Sequence, residues 1–245
     1  MKFRYRLEPQ GDARTLGLIV LQVDETIERD FRRLFDPATP LHVTRIASGA
    51  ELTPDTIAAM EACLPEAAAM LPPAADFKVV AYACTSGTTL IGADKVAALV
   101  KSGCGTDSVT DPLTASVAAM RALDVDRIGL VSPYIPAVAE PIRAAFEKTG
   151  IDVTRSVSFG EEIESRVARI DAASVIAAAR HVAEGVRPGA IFLSCTNLRT
   201  LDVIPGLEVE LGIPVVSSNL ALAWDMARRA GLDLSGSVAA RLLTV

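Results

Sequence analysis

The chain has 245 residues, 50% hydrophobic and 22% charged, with 24 Lys and Arg against 30 Asp and Glu for a net charge of -6. That apolar fraction excludes a disordered or collagen-like chain, and the length admits one large domain or two small ones. The acidic balance speaks against a nucleic-acid partner.

In chain order, an apolar strand at Thr15–Leu21 precedes a helical pattern at Glu25–Phe35. A strand at Leu41–Ile46, a helix at Pro54–Leu64, a strand at Phe77–Ala83 and helices at Ala93–Lys101 and Leu113–Ala122 follow. The second half repeats the rhythm: strand Arg127–Val131, helix Ile135–Thr149, strand Asp152–Val157 and helix Ile163–Glu184. It closes with strands Ala190–Ser194 and Pro214–Ser217 and a helix at Leu220–Ala230. Short continuous apolar strands joined by helices predict parallel sheets covered on both faces, an α/β class. Thr53-Pro54 and Asp111-Pro112 read as helix starts, and Gly150, Gly185 and Gly231 as helix stops. Apolar runs such as Leu16–Val23 fall far short of the roughly 20 residues a bilayer requires. The opening Met-Lys-Phe-Arg-Tyr-Arg-Leu-Glu-Pro carries charges where a signal peptide needs its apolar stretch. No membrane partner and a cytoplasmic location are therefore expected. The four cysteines, at 63, 84, 104 and 195, have the spacing of neither a zinc site nor a disulfide scaffold, and no bound metal is expected.

One internal echo stands out. Phe77 to Thr89 reads FKVVAYACTSGTT, and Gly189 to Thr200 reads GAIFLSCTNLRT. Each is an apolar strand ending in Cys-Thr and a polar turn, and duplication of a β/α half-unit accounts for the spacing. Two lobes of about four parallel strands each would then face one another across a cleft. The first lobe is placed at 1–115 plus 219–245, the second at 116–218. Ligands of parallel α/β sheets bind beyond the carboxyl ends of strands, where both cysteines lie. Unpaired turn N–H groups there favour thiolate, and Thr85, Ser86, Thr196 and Asn197 add donors suited to a carboxylate or an enediolate. A lone buried Cys at a strand end is ordinarily a packing residue. Two of them in matched polar turns can serve as base and acid on opposite faces of one carbon, or as nucleophile and proton donor.

These paired Cys-Thr turns, with Gly17-Leu18-Ile19-Val20 and Val131-Ser132-Pro133-Tyr134, resemble the aspartate/glutamate racemase superfamily over nearly the whole chain. The maleate isomerase and arylmalonate decarboxylase branch is the most similar. The resemblance implies two pseudo-symmetric α/β lobes around a cofactor-free site, with Cys84 and Cys195 as the catalytic pair. It also implies that Thr85, Ser86 and Tyr134 bind a substrate carboxylate, with Thr196 and Asn197 contributing donors. Decarboxylases of this branch keep only the second cysteine, so Cys84 favours isomerase chemistry.

Two departures bear on the substrate. Asp24, in Leu21-Gln22-Val23-Asp24-Glu25-Thr26, and Glu164 stand where the family has asparagines. A carboxylate there repels a second substrate carboxylate and attracts an ammonium. Asp24 also suits a helix N-cap, and Glu164 sits among Glu161 and Glu162 like a solvated helix start. The Asp24 turn further resembles racemase-like proteins of ectoine utilisation, which implies an amino-acid substrate such as a diaminobutyrate derivative. The expected activity is a racemase or isomerase of a small carboxylate. Cis–trans isomerisation with Cys84 as covalent nucleophile and non-catalytic amino-acid binding are the alternatives. A homo-oligomer, dimer or higher, is expected. Cys63 is read as packing, Cys104 as a loop thiol, His42 and His181 as structural, and Trp224 as a packing residue against a lobe or a second subunit.

Overall fold

The computed structural model of the protein describes residues 2–7, 14–51 and 53–245. Its first half runs β1 (Thr15–Leu21), α1 (Ile27–Leu34), β2 (Leu41–Ile46), α2 (Pro54–Ala69) and β3 (Phe77–Ala83). It continues with α3 (Thr85–Ile91), α4 (Ala93–Gly103), β4 (Thr106–Thr110) and α5 (Pro112–Ala122). The second half runs β5 (Arg127–Ser132), α6 (Pro136–Lys148), β6 (Asp152–Ser158), α7 (Glu164–Val167) and α8 (Ala172–Ala183). Then come β7 (Ala190–Leu193), α9 (Ile204–Leu211), β8 (Val215–Ser217) and α10 (Ser218–Ala230).

Two four-stranded sheets result, ordered β2-β1-β3-β4 and β6-β5-β7-β8, with every strand pair parallel. The two orders are the same when counted from the start of each half, so the echo seen at the cysteines extends to the topology. The central strands β1 and β7 are buried at every position, because helices cover both faces of a parallel sheet. α10 is buried from Ser218 to Ala227, since it lies against α5 and β3 of the first half and β8 of the second. Trp224 is used within the chain. Its indole N–H donates to the Val245 carbonyl at 3.3 Å, and the Arg228 guanidinium stacks 5.3 Å from its ring. Gly231 ends this helix in the left-handed region at φ 65°.

Several element boundaries differ from expectation for local reasons. β4 reads Thr-Asp-Ser-Val-Thr and is an edge strand, mostly half-buried, so no apolar run marks it. α2 continues through Pro65 to Ala69 because Leu64, Ala67 and Ala68 bury one face. The long helix expected at Ile163–Glu184 is broken in two by Asp171. Its carboxylate accepts the Ser174 N–H at 2.8 Å and starts a new helix. No helix among the described residues is long and apolar enough to cross a membrane.

Candidate active site

The turns after β3 and β7 meet beyond the carboxyl ends of the two sheets. After β3 the chain is helical where a turn was expected, although Thr-Ser-Gly-Thr-Thr is a poor helix sequence. Capping explains it. The Cys84 thiol accepts the Gly87 N–H at 3.1 Å, and Thr88 and Thr89 donate to the Cys84 and Thr85 carbonyls at 2.9 and 2.8 Å. A side chain on Gly87 would sit 2.5 Å from the Tyr82 hydroxyl and 2.9 Å from Cys84 Sγ, so only glycine fits. Cys195 instead sits at φ 107°, a left-handed conformation in a residue that is not glycine. Such backbone costs about 1–3 kcal/mol and survives only where the surroundings impose it.

What imposes it is Ser218, the first residue of α10. Its hydroxyl accepts the Cys195 N–H at 3.0 Å and shares a 2.9 Å hydrogen bond with Thr85 Oγ1. Thr196 completes the join by donating to the Ala83 carbonyl at 3.3 Å. Both Cys-Thr segments are thereby locked to each other, with Cys84 and Cys195 each 3% exposed. Tyr134, 1% exposed, lies against the Cys195 thiol and within the electrostatic reach of Cys84. Tyr82 stands in the same relation to Cys84. Ser86 Oγ is 3.6 Å from Cys84 Sγ.

The expected thiolate is not what the structure supports. Burial pushes the Cys84 thiol up to about 11, against the opposing pull of Ser86 and the Gly87 N–H. Cys195 is likewise pushed well up, by burial and then by the Glu164 charge, against Tyr134 and the Asn197 N–H. One or two donors do not offset full desolvation of a charge. Both thiols are therefore neutral at rest.

Glu164 is not the surface residue its neighbours suggested. It is 3% exposed, and its carboxylate accepts the Asn197 side-chain N–H at 2.7 Å. Asn197 also donates to the Glu164 carbonyl at 3.1 Å and accepts the Glu25 N–H at 2.8 Å. Burial raises the Glu164 carboxyl to about 7, with the nearby charge of Asp24 adding to it. Asp24 is 4% exposed. Its Oδ1 accepts the N–H groups of Thr26 and Ile27 at 2.8 and 2.9 Å and so ties down the turn leading into α1, although the N-cap position itself is taken by Thr26 rather than by Asp24. Its Oδ2 has no hydrogen-bond partner among the described residues, and burial raises the carboxyl. A cavity of about 240 Å³ between Gln22, Val23, Glu25, Ala50 and Ser165 opens on Glu164.

All nine candidate residues thus gather in one buried cluster. Tyr82, Ser218 and Asn219 are additional. Asn219 donates to the Thr196 carbonyl and to Asp30, both at 2.9 Å. The Ser217-Ser218-Asn219 run after the last strand obeys the same strand-end rule as the Cys-Thr turns, and that signal was available. Cys63 and Cys104 lie elsewhere, in α2 and at the end of α4, and His42 stacks edge-on against Phe77. Among the described residues no group of His, Cys, Asp and Glu is placed to hold a metal ion.

Residues 51–243 match the family model for arylmalonate decarboxylase. Arylmalonate decarboxylase of Bordetella bronchiseptica is 31% identical over 226 residues, which cover 91% of this chain and 92% of the relative. Maleate isomerase of Nocardia farcinica is 29% identical over 247 residues, 94% of this chain and 95% of the relative. A solved mutant of the Nocardia farcinica enzyme, carrying a covalently bound succinylcysteine intermediate, superimposes with a TM-score of 0.81. Its identity is 28%, covering 94% of this chain and 98% of that one.

Proposed function

From its membership of the arylmalonate decarboxylase family, to which this chain belongs, we propose a cofactor-independent isomerase that racemises a small carboxylate, an amino acid or its derivative. Cys84 and Cys195 are the acid/base pair. One takes the proton from the carbon beside the carboxylate as thiolate, and the other, as thiol, returns a proton to the opposite face. Thr85, Ser86, Tyr134, Thr196 and Asn197 supply the donors that hold the carboxylate and the enediolate formed from it. The observation that carries this reading is the Ser218 bridge, which ties the backbone of Cys195 to the hydroxyl beside Cys84.

Asp24 and Glu164 support an ammonium on the substrate. Their charges are among the causes that hold the thiols up. An ammonium bound between them cancels that influence and eases formation of the thiolate. A second carboxylate in the same place would meet a repulsion of about 4 kcal/mol per charge pair at 4 Å, taking an effective dielectric constant near 20. The resemblance to ectoine-utilisation proteins fits the same preference for an amino-acid derivative. Division into a first lobe of 1–115 with 219–245 and a second of 116–218 belongs to this proposal, supported by the strand membership of the two sheets. Incubation with an amino-acid panel in deuterated water tests it. Deuterium should enter at Cα, and Cys84→Ala combined with Cys195→Ala should abolish entry. Undiminished exchange in that double variant would exclude the two thiols.

A second reading has one observation in its favour, the succinylcysteine carried by the Nocardia farcinica relative. In it Cys84, its proton passed to solvent, adds as thiolate to one carbon of the double bond of a maleate-like diacid. The electron pair moves to the neighbouring carbon, which takes a proton from Cys195 to give the succinyl thioether. Rotation about the remaining single bond, return of that proton to Cys195 and expulsion of the Cys84 thiolate give the trans isomer. A succinyl adduct on Cys84, seen by mass spectrometry after mixing with maleate, supports it. No adduct and no fumarate removes it.

A further inference from the structure

Tyr82 is completely buried near the end of β3, where a phenylalanine would fill the same space without burying a hydroxyl. A buried phenol O–H is costly unless it finds an acceptor. Here it donates to the Met60 thioether on α2 at 3.6 Å, and a thioether is among the weakest acceptors in a protein. Packing alone therefore gives no reason for the hydroxyl.

Its place along the chain gives one. Side chains two apart on a strand share a face, and the extended backbone of Cys84 continues the alternation of β3. The Tyr82 hydroxyl thus comes within hydrogen-bonding reach of Cys84 Sγ, and both atoms press on the same bare face of Gly87. The Gly87 N–H and the Ser86 hydroxyl approach that sulfur at 3.1 and 3.6 Å, so three donors converge on it. The echo between the two halves breaks at this point. Aligning FKVVAYACT with GAIFLSCT on their cysteines sets Leu193 opposite Tyr82, so the matching position in β7 offers Cys195 no donor. Tyr134 reaches Cys195 from the loop after β5 instead. The titratable groups facing Cys84 are Tyr82 from β3, Tyr134 from that loop and Glu164 from α7. Glu164 opposes a charge on Cys84, whereas Tyr82 favours one.

We propose that Tyr82 is a positioning residue that selects Cys84 as the thiol that ionises. At rest its O–H points to Met60. When the Cys84 proton passes to water, the O–H turns to the thiolate, a far stronger acceptor than a thioether, and Tyr82 keeps its own proton throughout. The turn is a rotation about the bond between ring and oxygen and shifts no heavy atom. This inference rests on the reading of Cys84 as a reacting thiol, which racemisation and covalent isomerisation share.

Iodoacetamide reads thiolate, because the thiol itself is not the nucleophile. Alkylation of the full chain from about pH 8 to about pH 10, resolved into the Cys84 and Cys195 peptides by mass spectrometry, tests the proposal without any substrate. Glu164, raised to about 7, is ionised throughout that range. Tyr82→Phe should slow alkylation of Cys84 about tenfold at each pH, the lower end of what a hydrogen bond to a charged group is worth. Cys195 alkylation and thermal unfolding should not change. Met60→Leu keeps the apolar volume and removes only the competing acceptor, so the Cys84 rate should hold or rise. An undiminished Cys84 rate in Tyr82→Phe overturns the proposal. So does an equal change at both cysteines, or an equal loss in Met60→Leu, since either marks Tyr82 as packing. An amino-acid panel without deuterium exchange in the parent would remove the racemase reading and leave the alkylation result to decide this one.

Discussion

Replacing Glu164 with Gln should change how stability depends on pH, in a direction the burial of this carboxyl dictates. In the unfolded chain the group titrates near 4.5, and in the fold it is raised to about 7. Between those values the folded protein holds a proton that the unfolded chain releases. Stability is therefore fully present below pH 4.5 and declines as pH rises through 7, after which the loss levels off. The interval corresponds to about 3 kcal/mol. Glu164→Gln keeps an acceptor for the Asn197 side chain but has no proton to lose. The variant should match the parent near pH 4.5 and exceed it by about 3 kcal/mol at pH 8.5, or about 6–12 °C in Tm for a chain of this size. Asp24 is also raised by burial, and Asp30 to about 6, so both proteins lose stability on the way to neutral pH. Only the difference between them isolates position 164. Thermal and urea unfolding of both proteins, followed by circular dichroism from pH 4.5 to 8.5, measures it. Parallel curves would refute the claim that burial raises the carboxyl at this position.

The same carboxyl should govern ligand choice. An amino acid carrying an ammonium should bind more tightly as pH rises through about 7 in the parent and without that step in Glu164→Gln, measured by calorimetry across pH. Ser218→Ala leaves the Cys195 N–H and the Thr85 hydroxyl without their shared partner. A buried group left unpaired costs about 1–3 kcal/mol, so urea unfolding should register a loss in that range and turnover should fall more steeply than substrate affinity. Gly87→Ala forces a methyl against the Tyr82 hydroxyl and Cys84 Sγ. Overpacking of this kind costs about 1–3 kcal/mol, and alkylation of Cys84 by iodoacetamide should change its rate. Asp225 is fully buried beneath Arg228, Arg229 and Thr110 at 2.9, 2.6 and 2.6 Å. Asp225→Ala should cost about 1–3 kcal/mol in unfolding free energy, because it leaves the buried Thr110 hydroxyl without its acceptor while Arg228 and Arg229, 56% and 28% exposed, turn to water.

The apolar strands were legible because burial on both faces of a parallel sheet demands unbroken runs of Val, Ile and Leu, as in Thr15–Leu21 and Phe77–Ala83. β4 was not, since an edge strand needs no such run. The sequence of α3 predicts a turn because Thr, Ser and Gly are poor helix formers, and its helicity comes from a thiol cap and two hydroxyls bonding back to the chain. The pairing of Cys84 with Cys195 is visible in the sequence as an echo, whereas the burial that raises both thiols is not. Local N–H groups can be counted from the sequence, whereas desolvation depends on distant segments that close over the site. Glu164 shows the same gap. Its acidic neighbours suggested solvent, but its backbone N–H donates to the Ala50 carbonyl at 3.1 Å and draws the carboxylate under cover. Tyr82 read as one more residue of a buried strand, and only the fold brings its hydroxyl to Cys84.

The central claim is that Cys84 and Cys195 work on opposite faces of one carbon. It is tested most directly by following deuterium entry at Cα separately for the two enantiomers of a turned-over substrate. Cys84→Ser and Cys195→Ser should each abolish racemisation while each still exchanges one enantiomer, and the two variants should retain opposite ones. Loss of exchange with the same enantiomer in both variants, or racemisation that survives either substitution, would contradict the account.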